Sequence, residues 1–405
     1  MKRLSTFNKL VLACILLLMV AYSNHFGNSF HFDDDHSIVN NAFIRNLSNI
    51  PKFFKSAETF SSLPANQTYR PMLTTLYALD YSVGEFNTVC FHMPIFIFYL
   101  LQGILMYLVI IKVFDNSYAS PSNKYFALFA STWYMLNTAN ADVINYISAS
   151  SDSISTFWVV AALAHFIYYP KLRKWHIYLI PIAIGALFKQ SALVFPGLLA
   201  VYCFIFENET AGVKASFYSK LKGTLIAVVP ALILCVILYE VQAKLTSSTY
   251  ITGGSPFNYI ITQPFVTLHY FFTFFVPIGL SADTDWLPLD SISNYRFWLG
   301  ILFLLVLAFC ILRFLMNKKL APLVFGLSWF IIALLPSALV PLSEVMNDYR
   351  AFFPYIGLAM AAGWLFCLAW EKWNIGKGEY ARVSIGLMIL IVVGNAVGTF
   401  VRNNV

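Results

Sequence analysis

The dominant pattern along this chain is a series of long apolar runs separated by short polar connections. A run of about 18 or more apolar residues is long enough to cross the hydrocarbon of a bilayer as a helix. The fold class predicted is therefore all-α integral membrane, with residues 1–405 forming a single domain. The runs predict eleven spans, near residues 9–23, 90–113, 124–138, 153–170, 176–188, 191–207, 222–241, 297–316, 320–339, 351–370 and 383–401.

Two polar stretches interrupt this series and predict long external loops over residues 24–89 and 242–296. Connections of this length are usually functional. The first loop contains two segments with amphipathic helical patterns, 50–60 and 71–83. Such helices can lie in the plane of the membrane interface with their apolar faces toward lipid.

Composition and charge agree with this assignment. Only 11% of the residues are charged and 59% are hydrophobic, whereas a soluble domain carries about 25% charged residues. With the N-terminus inside and an uncleaved first span, most Lys and Arg residues fall inside, as the positive-inside rule expects. Most acidic residues and the C-terminus then fall outside. If residues 263–280 were a span, Asp283, Asp285 and Asp290 would fall on the inside of the membrane. We therefore predict a surface-lying or re-entrant helix there.

The sharpest candidate for chemistry follows the first span. Three adjacent carboxylates, Asp33, Asp34 and Asp35, repel one another, so at least one of them needs a cation, a donor or a proton. Such a group can act as a general base or bind a metal, and a divalent cation at these three residues is one alternative. A solvated acidic turn, or a helix N-cap before residues 37–41, is the other.

Further charged residues are predicted on the same face. Arg70 precedes a proline and suits phosphate binding, or it pairs with lipid headgroups. Lys189 lies between two short apolar segments and is either functional at membrane depth or snorkels to the surface. Glu344 and Arg350 add a carboxylate and a guanidinium, which an internal salt bridge would also explain. His92 is kept as a candidate, although the histidines show no metal-binding spacing.

Taken together, several motifs resemble those of the GT-C glycosyltransferases, which are multispanning membrane enzymes. Phe32, Asp33 and Asp34, followed by residues 38–41, resemble the acidic opening motif of this superfamily. The resemblance is closest to the O-mannosyltransferases with transmembrane and tetratricopeptide-repeat regions, and to their bacterial relatives. Further similar motifs follow in family order, at residues 70–74, 84–92, 143–152, 187–190, 262–283, 325–336 and 349–357.

The chain departs from the family pattern at two positions. Ser150 or Ser151 stands where an arginine is usual, and Gln190 stands where a glutamate is usual. These departures bear on the choice of sugar and acceptor. The chain shows no tetratricopeptide repeats, so we expect it to correspond to the membrane module of the family.

The resemblance implies an inverting glycosyltransferase that uses a polyprenyl-phosphate-linked sugar as donor. It would transfer a hexose, mannose in type, to a protein or envelope-glycan acceptor on the outer or lumenal face. Asp33 or Asp34 would be the general base. The residues assigned to the donor phosphate or substrate are Arg70, Lys189, Arg350, Asp35, His92, Asp152 and Glu344.

Two other classes of function remain. A multispanning transporter or lipid flippase predicts charged residues within the spans and inverted repeats; here the acidic residues fall outside the spans and no repeat is visible. A non-catalytic membrane scaffold is the third class. No phosphate-binding glycine motif indicates a soluble nucleotide site, and no nucleic-acid partner is predicted from the net charge of +7. We expect a bacterial inner membrane rather than the endoplasmic reticulum, with an external active site.

Overall fold

The structure is a computed structural model that describes residues 5–207, 216–246, 255–281, 284–373 and 379–403. Within these ranges all regular structure is helical, as the apolar pattern predicts. The α-helices are α1 (Thr6–Ala21), α2 (Ile50–Phe53), α3 (Pro71–Gly84), α4 (Thr88–Ser117), α5 (Asn123–Leu136), α6 (Ala141–Asn145), α7 (Ser150–Tyr168), α8 (Leu179–Phe188), α9 (Phe195–Tyr202), α10 (Phe217–Leu245), α11 (Pro256–Phe275), α12 (Tyr295–Phe314), α13 (Ala321–Leu339), α14 (Phe352–Lys372) and α15 (Glu379–Arg402).

Short 3₁₀ and π segments fill the connections between these helices. Two are π-helical, Asp35–Val39 and Cys203–Glu207. The 3₁₀ segments are His25–Gly27, Ala42–Arg45, Leu47–Asn49, Ala57–Phe60, Pro64–Asn66, Thr138–Asn140, Pro170–Trp175, Gln190–Val194, Lys318–Leu320 and Asp348–Ala351.

Eight helical stretches in the described part of the chain are long and apolar enough to cross a membrane, and each coincides with a predicted span. They are Thr6–Gly27, Thr88–Ser117, Gln190–Glu207, Phe217–Leu245, Tyr295–Phe314, Lys318–Leu339, Asp348–Lys372 and Glu379–Arg402.

The other three predicted spans have different structures, so the count of eleven is not confirmed. The run at 124–138 is α5, of 14 residues, and the run at 176–188 is α8, of 10 residues. The run at 153–170 belongs to α7, which is bent by 108° from the preceding stretch Thr138–Asn145; counting this pair as one span would give nine. A helix buried inside protein is as apolar as one that faces lipid, so hydrophobicity alone does not separate them.

The two predicted loops are largely ordered. Residues 50–60 form α2 and the 3₁₀ turn Ala57–Phe60, and residues 71–83 fall within α3. In the second loop, α11 is not among the candidate spans, and it packs against α12. The described residues do not include 247–254 or 282–283, and Asp283 lies in the second of these ranges.

The end of the bundle that follows α1 is closed by the last helix. Asn403 Nδ2 donates to Asn24 Oδ1 at 3.1 Å, and Asn145 Nδ2 donates to Asn403 Oδ1 at 2.5 Å. Arg402 forms a two-pronged ion pair with Asp142. The segment after α1, helix α6 and the C-terminal end of α15 therefore meet at one end of the molecule, which we call the acidic end.

Helices α13 and α14 cross with their backbones in close contact. A Cβ atom added at Gly326 would collide with the carbonyl oxygen of Gly357, and one added at Gly357 would collide with that of Gly326. Small residues permit this kind of approach between membrane helices. Both glycines lie within motifs, at residues 325–336 and 349–357, that resemble those of the glycosyltransferases.

We predict that Gly357→Ala destabilises the bundle by about 1–3 kcal/mol, the usual cost of overpacking a tight interface. The measurement is the temperature at which half of the detergent-solubilised protein loses its monodisperse elution peak. Gly386→Ala is the matched control, because nothing lies within 4 Å of a Cβ added at that position in α15. Equal midpoints for the two variants would contradict the close packing of α13 on α14.

Candidate active site

The acidic segment after α1 is built from unusual backbone conformations. Phe32 has φ +46°, a left-handed conformation that an aromatic residue rarely adopts. The π-helical segment Asp35–Val39 follows it. Backbone strain and π-helical turns both concentrate at functional sites. The segment lies against the turn 146–149, which joins α6 to α7 at the 108° bend.

Asp34 fastens these two parts of the chain together. Its Oδ1 accepts hydrogen bonds from the backbone N–H of Ser148 at 2.8 Å and from the Ser148 hydroxyl at 2.6 Å. Its Oδ2 accepts the backbone N–H of His31 at 3.0 Å. Burial raises the pKa of Asp34 to about 6, although these donors oppose the shift. Asp34 is 0% exposed, and its three hydrogen bonds hold the acidic segment against the turn 146–149.

Asp33, by contrast, is reachable. Its side chain is 60% exposed, and its backbone N–H donates to the Tyr146 hydroxyl oxygen at 2.8 Å. Its Oδ1 lies 3.2 Å from Nε2 of His36. The hydrogen bond with His36 lowers the pKa of Asp33, with smaller contributions from Tyr146 and the positive charge of Arg70. Of the two predicted bases, Asp33 has the geometry that a base requires.

Asp35 points elsewhere. It is exposed, and its Oδ1 accepts a hydrogen bond from Asn40 Nδ2 at 3.0 Å. The three adjacent carboxylates therefore have three different sets of partners. Across the residues that the structure describes, no group of three His, Cys, Asp or Glu side chains is placed to hold a metal ion. The divalent cation at Asp33, Asp34 and Asp35 stays a prediction.

The three predicted phosphate-binding cations lie near one another. Nη1 of Arg70 lies 3.5 Å from Oγ of Ser151, and the next residue, Asp152, forms an ion pair with Lys189. Lys189 is also within electrostatic reach of Arg70 and Arg350. The start of α7 thus connects Arg70 to Lys189.

Tyr349 connects Lys189 to the third cation. Nζ of Lys189 lies 5.4 Å from the centre of the Tyr349 ring, and Cζ of Arg350 lies 5.7 Å from it. Nη1 of Arg350 donates to the backbone oxygen of Glu344 at 2.7 Å, and Nη2 lies 3.6 Å from Oε2 of the same residue. Glu344 therefore forms the internal salt bridge that the sequence left open, and it orients Arg350 within the cluster.

His92 contacts the segment that follows α1 and lies outside the cation cluster. It is fully buried, and its Nε2 is 3.2 Å from the backbone oxygen of Asn28. Its ring lies 4.3 Å from the ring of His25, which in turn contacts Asn145. These contacts place His92 against the segment that follows α1.

Of the two family departures, the serine takes part in the site. Where the family has an arginine, the hydroxyl of Ser151 donates to the Ser148 backbone oxygen at 3.2 Å and lies against Arg70. Gln190, at the position of the usual glutamate, is exposed.

Four residues at the site carry roles that the motif analysis did not assign: His36, Tyr146, Ser148 and Tyr349. Their signal in the sequence is weak. Only His36 adjoins a charged cluster, the three aspartates at residues 33–35. The serine-rich run 148–155 within an apolar stretch was the available clue, since polar side chains at membrane depth need partners.

We predict that Ser148→Ala destabilises the protein by about 1.5–3 kcal/mol, because Asp34 loses a buried hydrogen bond to its carboxylate. The loss should be larger above pH 6 than below it. The folded-state pKa of Asp34 is raised to about 6, so the ionised form that needs the donor prevails only above that pH. Thermal midpoints of the purified protein across this range provide the measurement.

The matched control is Thr156→Val on the same helix, α7. The Thr156 hydroxyl is buried without a hydrogen-bond partner among the described residues, so its removal should be neutral or stabilising. Equal, pH-independent losses in both variants would contradict the proposed role of Ser148.

Comparison with known proteins identifies relatives of the predicted kind. No protein-family model matches the chain. A stretch of 159 residues, 38% of this chain, is 24% identical to a protein O-mannosyl-transferase of Caenorhabditis elegans, and the match spans only 22% of that protein's length. Structural comparison aligns 98% of this chain with 76% of the chain of ArnT from Cupriavidus metallidurans, in a crystal structure with bound undecaprenyl phosphate. That alignment has a TM-score of 0.49 and 13% sequence identity.

The motifs at residues 30–360 predict a relative among the membrane O-mannosyltransferases, and the match to the Caenorhabditis elegans protein is of that type. The predicted resemblance of this chain to an O-mannosyltransferase is thereby confirmed.

Proposed function

We propose that this protein is an inverting membrane glycosyltransferase. It transfers a hexose of the mannose type from a polyprenyl-phosphate donor to a hydroxyl of a protein or envelope-glycan acceptor. The observation that carries the proposal is the placement of one reachable carboxylate, Asp33, near a cluster of three cations, Arg70, Lys189 and Arg350, in an otherwise apolar bundle. The similarity to a protein O-mannosyl-transferase supports both the sugar and the hydroxyl acceptor.

The proposed reaction is a single displacement at the anomeric carbon. The acceptor oxygen forms a bond to that carbon while its proton passes to the exposed carboxylate of Asp33. The bond from the anomeric carbon to the phosphate oxygen breaks, and its electron pair leaves with the lipid phosphate. Because attack and departure occur on opposite faces of the sugar, the anomeric configuration is inverted.

The cation cluster suits the leaving group. Three positive side chains are opposed by two carboxylates, Asp152 and Glu344, which leaves one positive charge (3 − 2 = 1). A polyprenyl phosphosugar is a phosphodiester with one negative charge, so the donor would neutralise the cluster. As the anomeric bond breaks, the phosphate gains a second negative charge, which these cations would stabilise.

The membrane surface of the bundle suits the lipid part of the donor. Helices α10 and α12 expose large apolar side chains along much of their length. A polyprenyl chain could therefore lie along such a surface while its phosphate reaches the cations. We propose that the reaction takes place at the acidic end and that this end is external, in a bacterial inner membrane.

Replacing the base should abolish transfer while leaving the fold intact. We expect Asp33→Asn to lower kcat by about 100-fold or more, the usual contribution of a positioned general base. The measurement is transfer of radiolabelled sugar from polyprenyl-phosphate mannose, and separately glucose, in proteoliposomes with hydroxyl-bearing acceptors. Asp35→Asn is the matched control, because that carboxylate is turned toward Asn40 and should be dispensable.

Two results would count against this function. Full activity of Asp33→Asn would show that Asp33 is not the general base. Absence of transfer by the wild-type protein, combined with protein-dependent movement of the lipid-linked sugar between leaflets, would favour the flippase.

Weakening the cation cluster should raise the KM for donor and also lower kcat, because these cations would contact the phosphate both before and during departure of the leaving group. We expect Arg70→Gln to raise this KM by about tenfold, corresponding to the loss of about 1.4 kcal/mol from a charge-assisted contact. Arg45→Gln is the control, since Arg45 lies on the same loop but donates to the backbone oxygen of Val39 and stacks near Phe86. An unchanged donor KM in Arg70→Gln would exclude Arg70 from phosphate binding.

A further inference from the structure

The imidazole of His36 is held on both of its nitrogen sides. It is 7% exposed, and its Nδ1 lies 3.0 Å from the hydroxyl oxygen of Ser61. Its Nε2 lies 3.2 Å from Oδ1 of Asp33 and 2.8 Å from the side-chain amide of Asn66. Ser61 and Asn66 come from the loop before α3, so the ring joins that loop to the acidic segment.

Ser61 holds one nitrogen of the ring. Its hydroxyl lies 3.0 Å from Nδ1 of His36 and 3.1 Å from the backbone oxygen of Leu63. A hydroxyl can donate to an unprotonated Nδ1 or accept from a protonated one, so this contact is compatible with either tautomer. Nε2 is the nitrogen that faces the carboxylate of Asp33.

When Nε2 of His36 carries a proton, it donates to Oδ1 of ionised Asp33 across 3.2 Å. The Asn66 amide fits this arrangement, since rotation by 180° presents its oxygen instead of its nitrogen to the ring. Oδ1 of Asp33 is thus held by the ring in the ionised form that a general base requires. The side chain of Asp33 is 60% exposed, so its carboxylate also faces solvent.

We propose that His36 is the positioning residue of Asp33: it holds Oδ1 and keeps Oδ2 directed outward, toward the acceptor hydroxyl. This inference rests on the proposed function, because it concerns the same base. It goes beyond that function by assigning the orientation of the base to a side chain three residues away. The hydrogen bond from His36 also lowers the pKa of Asp33, which agrees with this geometry.

Other charged groups around Asp33 act on it in both directions. Arg70, at the start of α3, lowers the pKa of Asp33, as does the Tyr146 hydroxyl from the turn 146–149. Asp34, the neighbouring carboxylate, is also electrostatically coupled to Asp33. All three remain when His36 is replaced, so the effect of the replacement isolates the ring.

The first test is the pH dependence of kcat/KM for sugar transfer. We expect the acid limb of His36→Ala to move upward by about one pH unit, because the ionised form of Asp33 loses its donor. His36→Gln should show a smaller shift, since its amide N–H can still donate to the carboxylate. A uniform loss of activity with an unmoved acid limb would show that His36 has only a structural role, and would overturn the proposal.

The second test needs no turnover. A water-soluble carbodiimide with an amine nucleophile modifies protonated carboxyl groups, and mass spectrometry reports the extent at Asp33 as a function of pH. The exposed Glu58 provides the reference for the pH dependence of the reagent. We expect the Asp33 labelling curve to move to higher pH in both His36 variants. Coincident curves in wild type and variants would overturn the proposal.

The matched control is Asn40→Ala, which removes the polar partner of the neighbouring carboxylate Asp35. Neither the acid limb nor the Asp33 labelling curve should move in this variant. If the wild-type protein transfers no sugar but the labelling curve moves as expected, then the proposed function fails and the coupling of His36 to Asp33 stands. The two failures are therefore distinguishable.

Discussion

Three hydrogen bonds to one buried carboxylate determine the structure of the acidic end. A buried aspartate is costly unless its oxygens are satisfied, and Asp34 obtains two of its donors from Ser148, 114 positions away in the chain. That requirement holds the acidic segment against the turn between α6 and α7. The strained backbone of Phe32 and the outward position of Asp33 follow from it, because adjacent residues in a tight turn must point in different directions.

The cation cluster depends on a different balance. Positive side chains placed together repel, and each is kept in position by a local partner: Asp152 for Lys189, Glu344 for Arg350 and the Phe60 ring for Arg70. These partners neutralise the cluster only in part. The remaining positive charge is an electrostatic cost that an anionic ligand would remove, so ligand binding should stabilise this end of the protein.

Hydrophobic pattern predicted the fold class well, because the length of an apolar run is set by the thickness of the bilayer. It did not distinguish α5 and α8, helices of only 14 and 10 residues, from the longer candidate spans. For the site, charge identified Asp33, Arg70, Lys189 and Arg350. It could not show that Asp34 is buried and Asp35 turned away, because these differences arise from contacts with residues far along the chain, such as Ser148. The hydroxyl and imidazole groups that bind these carboxylates form no charge pattern in the sequence, so they were not predicted.

The contacts of the last helix, α15, determine when the structure of the acidic end can be completed. Arg402 and Asn403 complete the contacts of Asp142, Asn145 and Asn24, which belong to the first part of the chain. These partners are separated by up to 379 residues. The polar groups of the early segments therefore gain these hydrogen-bond partners only after most of the chain has been synthesised. Contacts between such distant residues form late. The framework that supports the candidate base is therefore finished only when α15 is in place, and a chain halted before that helix would carry every charged group of the site without its final arrangement.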